Sequence, residues 1–312
     1  VTEEQLVGAI RTLCGAHENR RVLVGIGDDA AVWQPSRSHR SVISSDMLVE
    51  GVHFRRDLMP LEDAGWRAMA ANLSDLAAMG ARPVLATVAL GVPPDNAEKD
   101  VTAIYRGIAA CAQRYAIAIA GGDLSRSDTI SIAITVVGEV RPSNLKLRSG
   151  GRAGDVLAVT GELGAARAGL LGERDGLEAF RRPQPRIAEG RFLAASANVR
   201  AMMDCSDGLS TDLARLCAAS GCGAALERVP VSAAARAAAE RLGEAPDDFA
   251  LRGGEDFELL VAVRSRAFGY LALRFEKRFL RPLLPIGVLR AGTSMEWRGE
   301  PLERRGWEHF LN

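Results

Sequence analysis

The stretch Asn72-Leu73-Ser74-Asp75-Leu76-Ala77-Ala78-Met79-Gly80 closes a run, 61–80, whose alanines, leucines and methionines are spaced as one amphipathic helix. Its polar members need a reason. Asn72 and Asp75 are three apart and share a helical face, yet both are weak helix formers whose side chains compete with the backbone. On a solvated face Asp75 is unremarkable, whereas buried it costs on the order of several kcal/mol unless a cation or several donors meet it. It does not stand alone. Aspartates recur near expected strand ends in Gly25-Ile26-Gly27-Asp28-Asp29, Ser44-Ser45-Asp46, Gly121-Gly122-Asp123, Asp204-Cys205-Ser206-Asp207-Gly208 and Gly253-Gly254-Glu255-Asp256. If the fold gathers them, like charges that close coexist only around metal ions.

Around that helix the periodicity predicts a helix over 2–16 and strands at 22–26, 30–33, 41–45 and 49–54. Gly80 and Pro83 end the 61–80 helix. A strand at 84–92, a helix at 95–115 and strands at 116–120 and 129–140 follow. Several strands ahead of the first long helix indicate an α+β domain over 1–140, with helices on one face of a sheet. Over 141–154 the pattern lapses into Pro, Ser, Asn, Arg and Gly, which marks a linker. Residues 155–312 read as an α/β domain, with strands at 155–160, 201–204, 223–226, 257–263 and 283–289 alternating with helices at 162–171, 186–197, 208–220, 232–241 and 265–278.

Composition narrows the function classes. The 312 residues carry zero formal net charge and 5% aromatics, so the basic, aromatic-interleaved footprint of a nucleic-acid binder is missing. No apolar run approaches a membrane span, and the acidic, amphipathic opening does not read as a signal peptide. Cys14, Cys111, Cys205, Cys217 and Cys222 are scattered, with no CxxC pair, which favours reduced thiols and a cytoplasmic location. Lysine occurs only as Lys99, Lys146 and Lys277. A lysine-based mechanism therefore has few candidates.

Gly25-Ile26-Gly27-Asp28-Asp29-Ala30 nominally fits a dinucleotide fingerprint, but that motif aims a helix N-terminus at a pyrophosphate. Here two aspartates occupy the loop and Pro35 follows; the glycines instead present the acids. The paired glycines at 121–122 and 253–254 fit either ordinary hairpins or amides brought close to a phosphate. Ser206 or Asp207 could cap the helix that follows, or the segment could bind an ion. Neither reading is excluded by the segment itself. Hard oxygen ligands without a His or Cys cluster select Mg²⁺, while the P-loop and the protein-kinase signatures are absent.

Taken together, Gly-Ile-Gly-Asp-Asp-Ala (25–30), Ser-Ser-Asp (44–46), Gly-Val-His-Phe (51–54), Asn-Leu-Ser-Asp-Leu-Ala-Ala-Met-Gly (72–80), Gly-Gly-Asp (121–123), Ser-Asp-Gly-Leu (206–209), Gly-Gly-Glu-Asp-Phe-Glu-Leu (253–259) and Gly-Trp-Glu-His-Phe (306–310) resemble the thiamine-monophosphate kinase family. The wider superfamily includes aminoimidazole ribonucleotide synthetase, selenophosphate synthetase and a hydrogenase-maturation protein. The resemblance implies a homodimer whose N-terminal sheets form a β-barrel, a C-terminal domain closing over the nucleotide, and Mg²⁺-dependent transfer of the ATP γ-phosphoryl to thiamine monophosphate. It implies Asp29, Ser44, Ser45, Asp46, Asp75, Asp123, Asp204 and Asp207 as magnesium ligands, with Asp46, Asp75, Asp123 and Asp207 central to catalysis. Tyr105, Gly122, Asp123, Arg148 and Ser206 would touch ATP; His53, Glu255 and Trp307 would touch the substrate. Ser45 stands where Thr is common, and Cys205 where an aliphatic residue is usual. Rival expectations are another ATP-using superfamily member, or a non-catalytic nucleotide-binding relative.

Overall fold

The structure, a computed structural model, describes residues 2–14, 21–26 and 30–306. Of the expected site residues, Asp29 and Trp307 lie outside the described residues. Contacts divide the chain into two compact units, Val1–Leu76 with Ala81–Pro142, and Ala77–Gly80 with Ser143–Asn312.

The first unit runs α1 (Glu3–Cys14), β1 (Val22–Val24), β2 (Val32–Trp33), β3 (Arg40–Val49), α2 (Leu61–Ala78), β4 (Arg82–Val92), α3 (Ala97–Arg114), β5 (Ala118–Arg126) and β6 (Ser131–Val140). Its main sheet has the order β3-β6-β4-β5, with β4 and β5 parallel and the other pairs antiparallel. Ile132, Ile134 and Val136 of β6 are fully buried while Ala133 and Thr135 between them are half-buried. One sheet face is therefore covered and the other open, as the alternation of strand side chains requires. In α3 the buried side carries Val101, Ile104 and Ile108, and α1 packs against it.

Two expected strand boundaries are not observed. The strands expected at 41–45 and 49–54 are one ten-residue strand, β3, followed by a turn. Its ladder with β6 is unbroken from Arg40↔Val140 to Val49↔Ser131, and these hydrogen bonds outweigh the poor strand propensity of Ser44-Ser45-Asp46. Likewise β5 runs through Gly121-Gly122-Asp123 instead of stopping before it. A Cβ on Gly122 would lie 1.9 Å from the Val88 carbonyl oxygen. This glycine serves the close approach of β5 to β4.

The second unit runs β7 (Val156–Val159), α4 (Ala165–Leu170), α5 (Leu177–Arg181), α6 (Ile187–Ala194), β8 (Val199–Cys205), α7 (Leu209–Ser220), β9 (Gly223–Leu226), α8 (Ala233–Leu242), α9 (Pro246–Arg252), β10 (Glu258–Val263), α10 (Ser265–Phe279), β11 (Leu284–Arg290), β12 (Met295–Trp297) and β13 (Glu300–Pro301). Helices and strands alternate as expected, but the sheet is mixed. Its order is β13-β12-β9-β11-β7-β10-β8, and among these pairs β9 and β12 run parallel. Strand β10, between β7 and β8, is buried at every position, which explains its continuous apolar run. Short α9 was not expected, although Pro246 at its start with Asp247 and Asp248 in its first turn is a helix-start pattern.

Two acids anchor β10, Glu258 buried and Asp256 half-buried. Glu258 accepts from Thr160 Oγ1 (2.5 Å), from Arg186 through Nε (3.0 Å) and Nη2 (2.6 Å), and from Arg281 (2.8 Å). Burial alone would raise its pKa, but the two guanidiniums hold it below the ordinary range. Asp256 accepts from the amides of Gly164 (2.7 Å) and Ala166 (3.4 Å) at the start of α4. Burial pushes its pKa from 3.8 to about 7, against the pull of those amides.

Two predictions follow from this packing. Gly122→Ala is expected to lower unfolding free energy by about 2–3 kcal/mol, read by urea denaturation; an unchanged midpoint would contradict the close β4–β5 approach. Asp256 binds its proton more tightly in the folded chain, so its contribution to stability is complete below pH 3.8 and is lost as the pH rises through about 7. Asp256→Asn should flatten that decline when unfolding is compared across the same pH window.

Candidate active site

In the first unit the site is built where β3 crosses α2. Ser44 Oγ donates to Asp75 Oδ2 at 2.5 Å, and the amide of Asp46 donates to Asn72 Oδ1 at 2.9 Å. Asn72 Nδ2 in turn donates to the Ala68 carbonyl at 2.9 Å. The helical spacing of 72 and 75 and the strand spacing of 44 and 46 therefore match face to face. Asp75 is half-buried and Asp46 exposed, so both carboxylates remain near solvent.

Other expected residues sit differently. Ser45 points to the opposite face of β3, where its hydroxyl meets Thr135 Oγ1 at 2.9 Å. The register aligns Asp46, Ile134, Val88 and Gly122 in one row, and Met47, Ala133, Ala89 and Asp123 in the next. Successive rows face opposite ways, which separates Asp123 from the β3–α2 junction. Asp123 is exposed and accepts from Ser125 Oγ at 2.8 Å. Tyr105 is only 3% exposed, on the core side of α3 beside Ile104 and Ile108. Helical periodicity thus gives its ring to the core, and the ATP contact expected of it has no open face. His53 lies in the turn after β3, where the Val49 amide donates to Nδ1 at 3.0 Å. The neutral ring consequently carries its proton on Nε2.

In the second unit two loops meet. Asp204, buried, pairs with Leu259 at the penultimate position of β8, and Cys205, which ends the strand, is buried with its thiol pKa pushed well up by burial and by neighbouring carboxylates. That suits a packing role and no nucleophile. The amide of Glu255 donates to the Ser206 carbonyl at 2.7 Å, and that of Phe257 to the Cys205 carbonyl at 2.9 Å. Glu255 and Phe257 both have positive φ, 67° and 50°, a conformation that non-glycine residues adopt at a cost and mostly at functional sites. Arg148 has an exposed side chain, while its carbonyl accepts from Ser220 Oγ at 2.9 Å.

The cap expected from Ser206 or Asp207 is not formed. Gly208 occupies the cap position with φ 101° and no side-chain cap bond, a turn that a residue with a Cβ would resist. Asp212, fully buried in the first turn of α7, instead ties down the loop ahead of the helix. Its Oδ2 accepts the amides of Ser206 (3.0 Å) and Asp207 (3.1 Å). Burial and the nearby Asp207 charge push its pKa up to about 6. Arg215, one turn further, donates to Asp212 Oδ1 at 3.0 Å and to Asp207 Oδ2. The Gly306 amide donates to Thr211 Oγ1 at 2.9 Å, so the segment leading to residue 307 lands on the same helix turn. Asp212 and Arg215 were missed in the sequence because a polar pair three apart on a helix usually marks a solvated face; the available signal was Asp212 among Leu209, Leu213 and Leu216.

Among the described residues, no group of three or more His, Cys, Asp and Glu side chains is arranged to hold a metal ion. The two local arrangements are oxygen-rich and held by backbone amides and hydroxyls; Asp46, Asp75 and Asp207 reach solvent, whereas Asp204 is buried. Such a surface suits a hydrated hard cation shared with phosphate oxygens.

Comparison with known proteins identifies the family of the chain. Residues 27–140 match the model of the AIR synthase related protein N-terminal domain, and residues 152–267 that of its C-terminal domain. A thiamine-monophosphate kinase of Rhodopirellula baltica is 46% identical over 253 residues, covering 78% of this chain and 77% of the relative. The crystal structure of thiamine-monophosphate kinase from Stenotrophomonas maltophilia superposes with a TM-score of 0.85 at 34% identity, covering 96% of this chain and 98% of the other. AaThiL complexed with AMPPCP and TMP gives a TM-score of 0.78 at 31% identity, over 91% and 92% of the two chains. With its acidic motifs carried on this two-part fold, the chain belongs to the thiamine-monophosphate kinase family, within the AIR synthase related proteins.

Proposed function

We propose that this chain transfers the γ-phosphoryl group of ATP to thiamine monophosphate, forming thiamine diphosphate by direct in-line displacement with magnesium. The observation that carries the reading is the β3–α2 junction, where the Asn72–Asp46 and Ser44–Asp75 bonds bring Ser44, Asp46 and Asp75 to one face, in a chain whose relatives are named for that kinase activity. An all-oxygen donor set fits magnesium, which takes one or two carboxylates and completes its shell with phosphate oxygens and water. A site of that kind needs no side-chain cage.

Ser44, Ser45, Asp46, Asp75, Asp123, Asp204 and Asp207 are the ligands we propose among the described residues. When bound, several ions, each taking one or two of these carboxylates, would screen the repulsion between two polyanions and polarise the transferring phosphoryl group. The acceptor is a phosphate monoester whose second pKa is about 6, so it is mostly dianionic at neutral pH. No general base is required. His53, its Nδ1 engaged by the Val49 amide, is a proposed substrate contact, and Glu255 is its proposed companion. Gly122, Asp123, Arg148 and Ser206 are the proposed ATP contacts, and in-line positioning by these groups supplies the rest of the rate.

The open face of the first unit's sheet is our proposed homodimer surface, since Ile43 and Met47 on it are 65% and 54% exposed. Buried free thiols at Cys14, Cys111, Cys205, Cys217 and Cys222 suit a reducing, cytoplasmic setting.

A coupled assay for ADP is expected to require both magnesium and thiamine monophosphate. ADP release indifferent to thiamine monophosphate would replace this reading with another ATP-using activity of the superfamily. Asp75→Asn should lower kcat by about a thousandfold or more while the fold, checked by circular dichroism, is kept. Cys205→Val should leave kcat within about twofold.

A further inference from the structure

We propose that Arg215 is the resident counter-cation of Asp207 and sets the magnesium concentration that the nucleotide site requires. The inference rests on the reading of Asp207 as a magnesium ligand. One guanidinium nitrogen of Arg215 serves two carboxylates, donating to Asp207 Oδ2 and, at 3.0 Å, to Asp212 Oδ1. Asp212 has no freedom to turn away, because its other oxygen holds the amides of Ser206 and Asp207 and its side chain is fully buried. Asp207 is different. Its side chain is 25% exposed, so an ion from solution can reach it.

The geometry therefore contains a competition. With no divalent ion, Arg215 neutralises part of the charge of two carboxylates that would otherwise repel each other. Magnesium demands short, near-octahedral oxygen contacts, so an ion on Asp207 Oδ2 displaces or shares the Arg215 bond, and one on Oδ1 sits beside the guanidinium. A fixed positive charge within a few ångströms also opposes the arriving ion by simple Coulomb repulsion. Arg215 thus keeps the loop ordered while empty and makes binding there weaker than the bare carboxylates would. Its role is positioning and tuning, through Asp207.

The test follows thermal melting of the full chain against magnesium, at a fixed concentration of a nonhydrolysable ATP analogue. Arg215→Gln is expected to reach half-saturation at about tenfold lower magnesium, and Arg215→Lys, which keeps the charge, within about twofold of the unaltered protein. Half-saturation unchanged or raised in Arg215→Gln overturns the proposal. Asp207→Asn separates the two levels: raised half-saturation there supports the ligand reading whatever Arg215→Gln does, whereas no change removes the ligand and the inference with it. Nitrogen-15 spectra of arginine side chains in the unaltered protein give a second readout that does not depend on a variant folding. The Arg215 Nε–H resonance should move when magnesium is added with the analogue, and a resonance that stays in place overturns the proposal.

Discussion

The side chain of Asn72 is the contact on which the first unit's chemistry depends. A primary amide buried in an alanine- and leucine-rich helix is costly when its donors and acceptor go unmet. Here its oxygen takes the Asp46 amide and its nitrogen gives to the Ala68 carbonyl. The bond to Asp46 locks the middle of β3 against α2 at one register. Slipping β3 by a single residue would turn Ser44 and Asp46 to the open face and present Ser45 and Met47 to the helix. The pairing of Ser44 with Asp75 is thus a result of a backbone bond made next to it.

The second unit uses the same device with a charged residue. Asp212 reaches back from a helix turn to take two loop amides, which leaves the Asp207 side chain presented at the loop's outer edge. The facing loop is tied by backbone bonds from Glu255 and Phe257. Each positive φ there costs on the order of 1–3 kcal/mol, and the anchors on either side, Asp256 at α4 and Glu258 with its two arginines, offset it. In both units polar side chains inside a helix organise backbone, and the backbone then positions the residues that can meet a ligand.

Several elements were legible from residue order because their cause is local. The helix through 61–80 follows from apolar spacing and the stop at Gly80 and Pro83, and the observed α2 spans Leu61–Ala78. Strand β9 matches its expected limits, since Gly221 and the turn after Leu226 bound it. The break expected inside 41–54 failed because propensity is a weak term beside a ten-residue ladder with β6. Gly122 is a different lesson: its proximity to Val88 is a contact between strands far apart in sequence, so no local pattern distinguishes it from a loop glycine.

By itself the sequence determined which residues are acidic, that their donors are hard oxygens, and which family's motifs they compose, because these are properties of residue type and spacing. Tertiary structure decided which of them meet. Strand register joined Ser44 and Asp46 to α2 while assigning Ser45 and Asp123 to the other face, and burial claimed Tyr105 for the core. It also raised Asp212 and Arg215 from apparent surface polarity to the frame of a loop. The physical reason is that hydrogen bonds and desolvation act between neighbours in space, and those neighbours exist only after the chain has closed on itself.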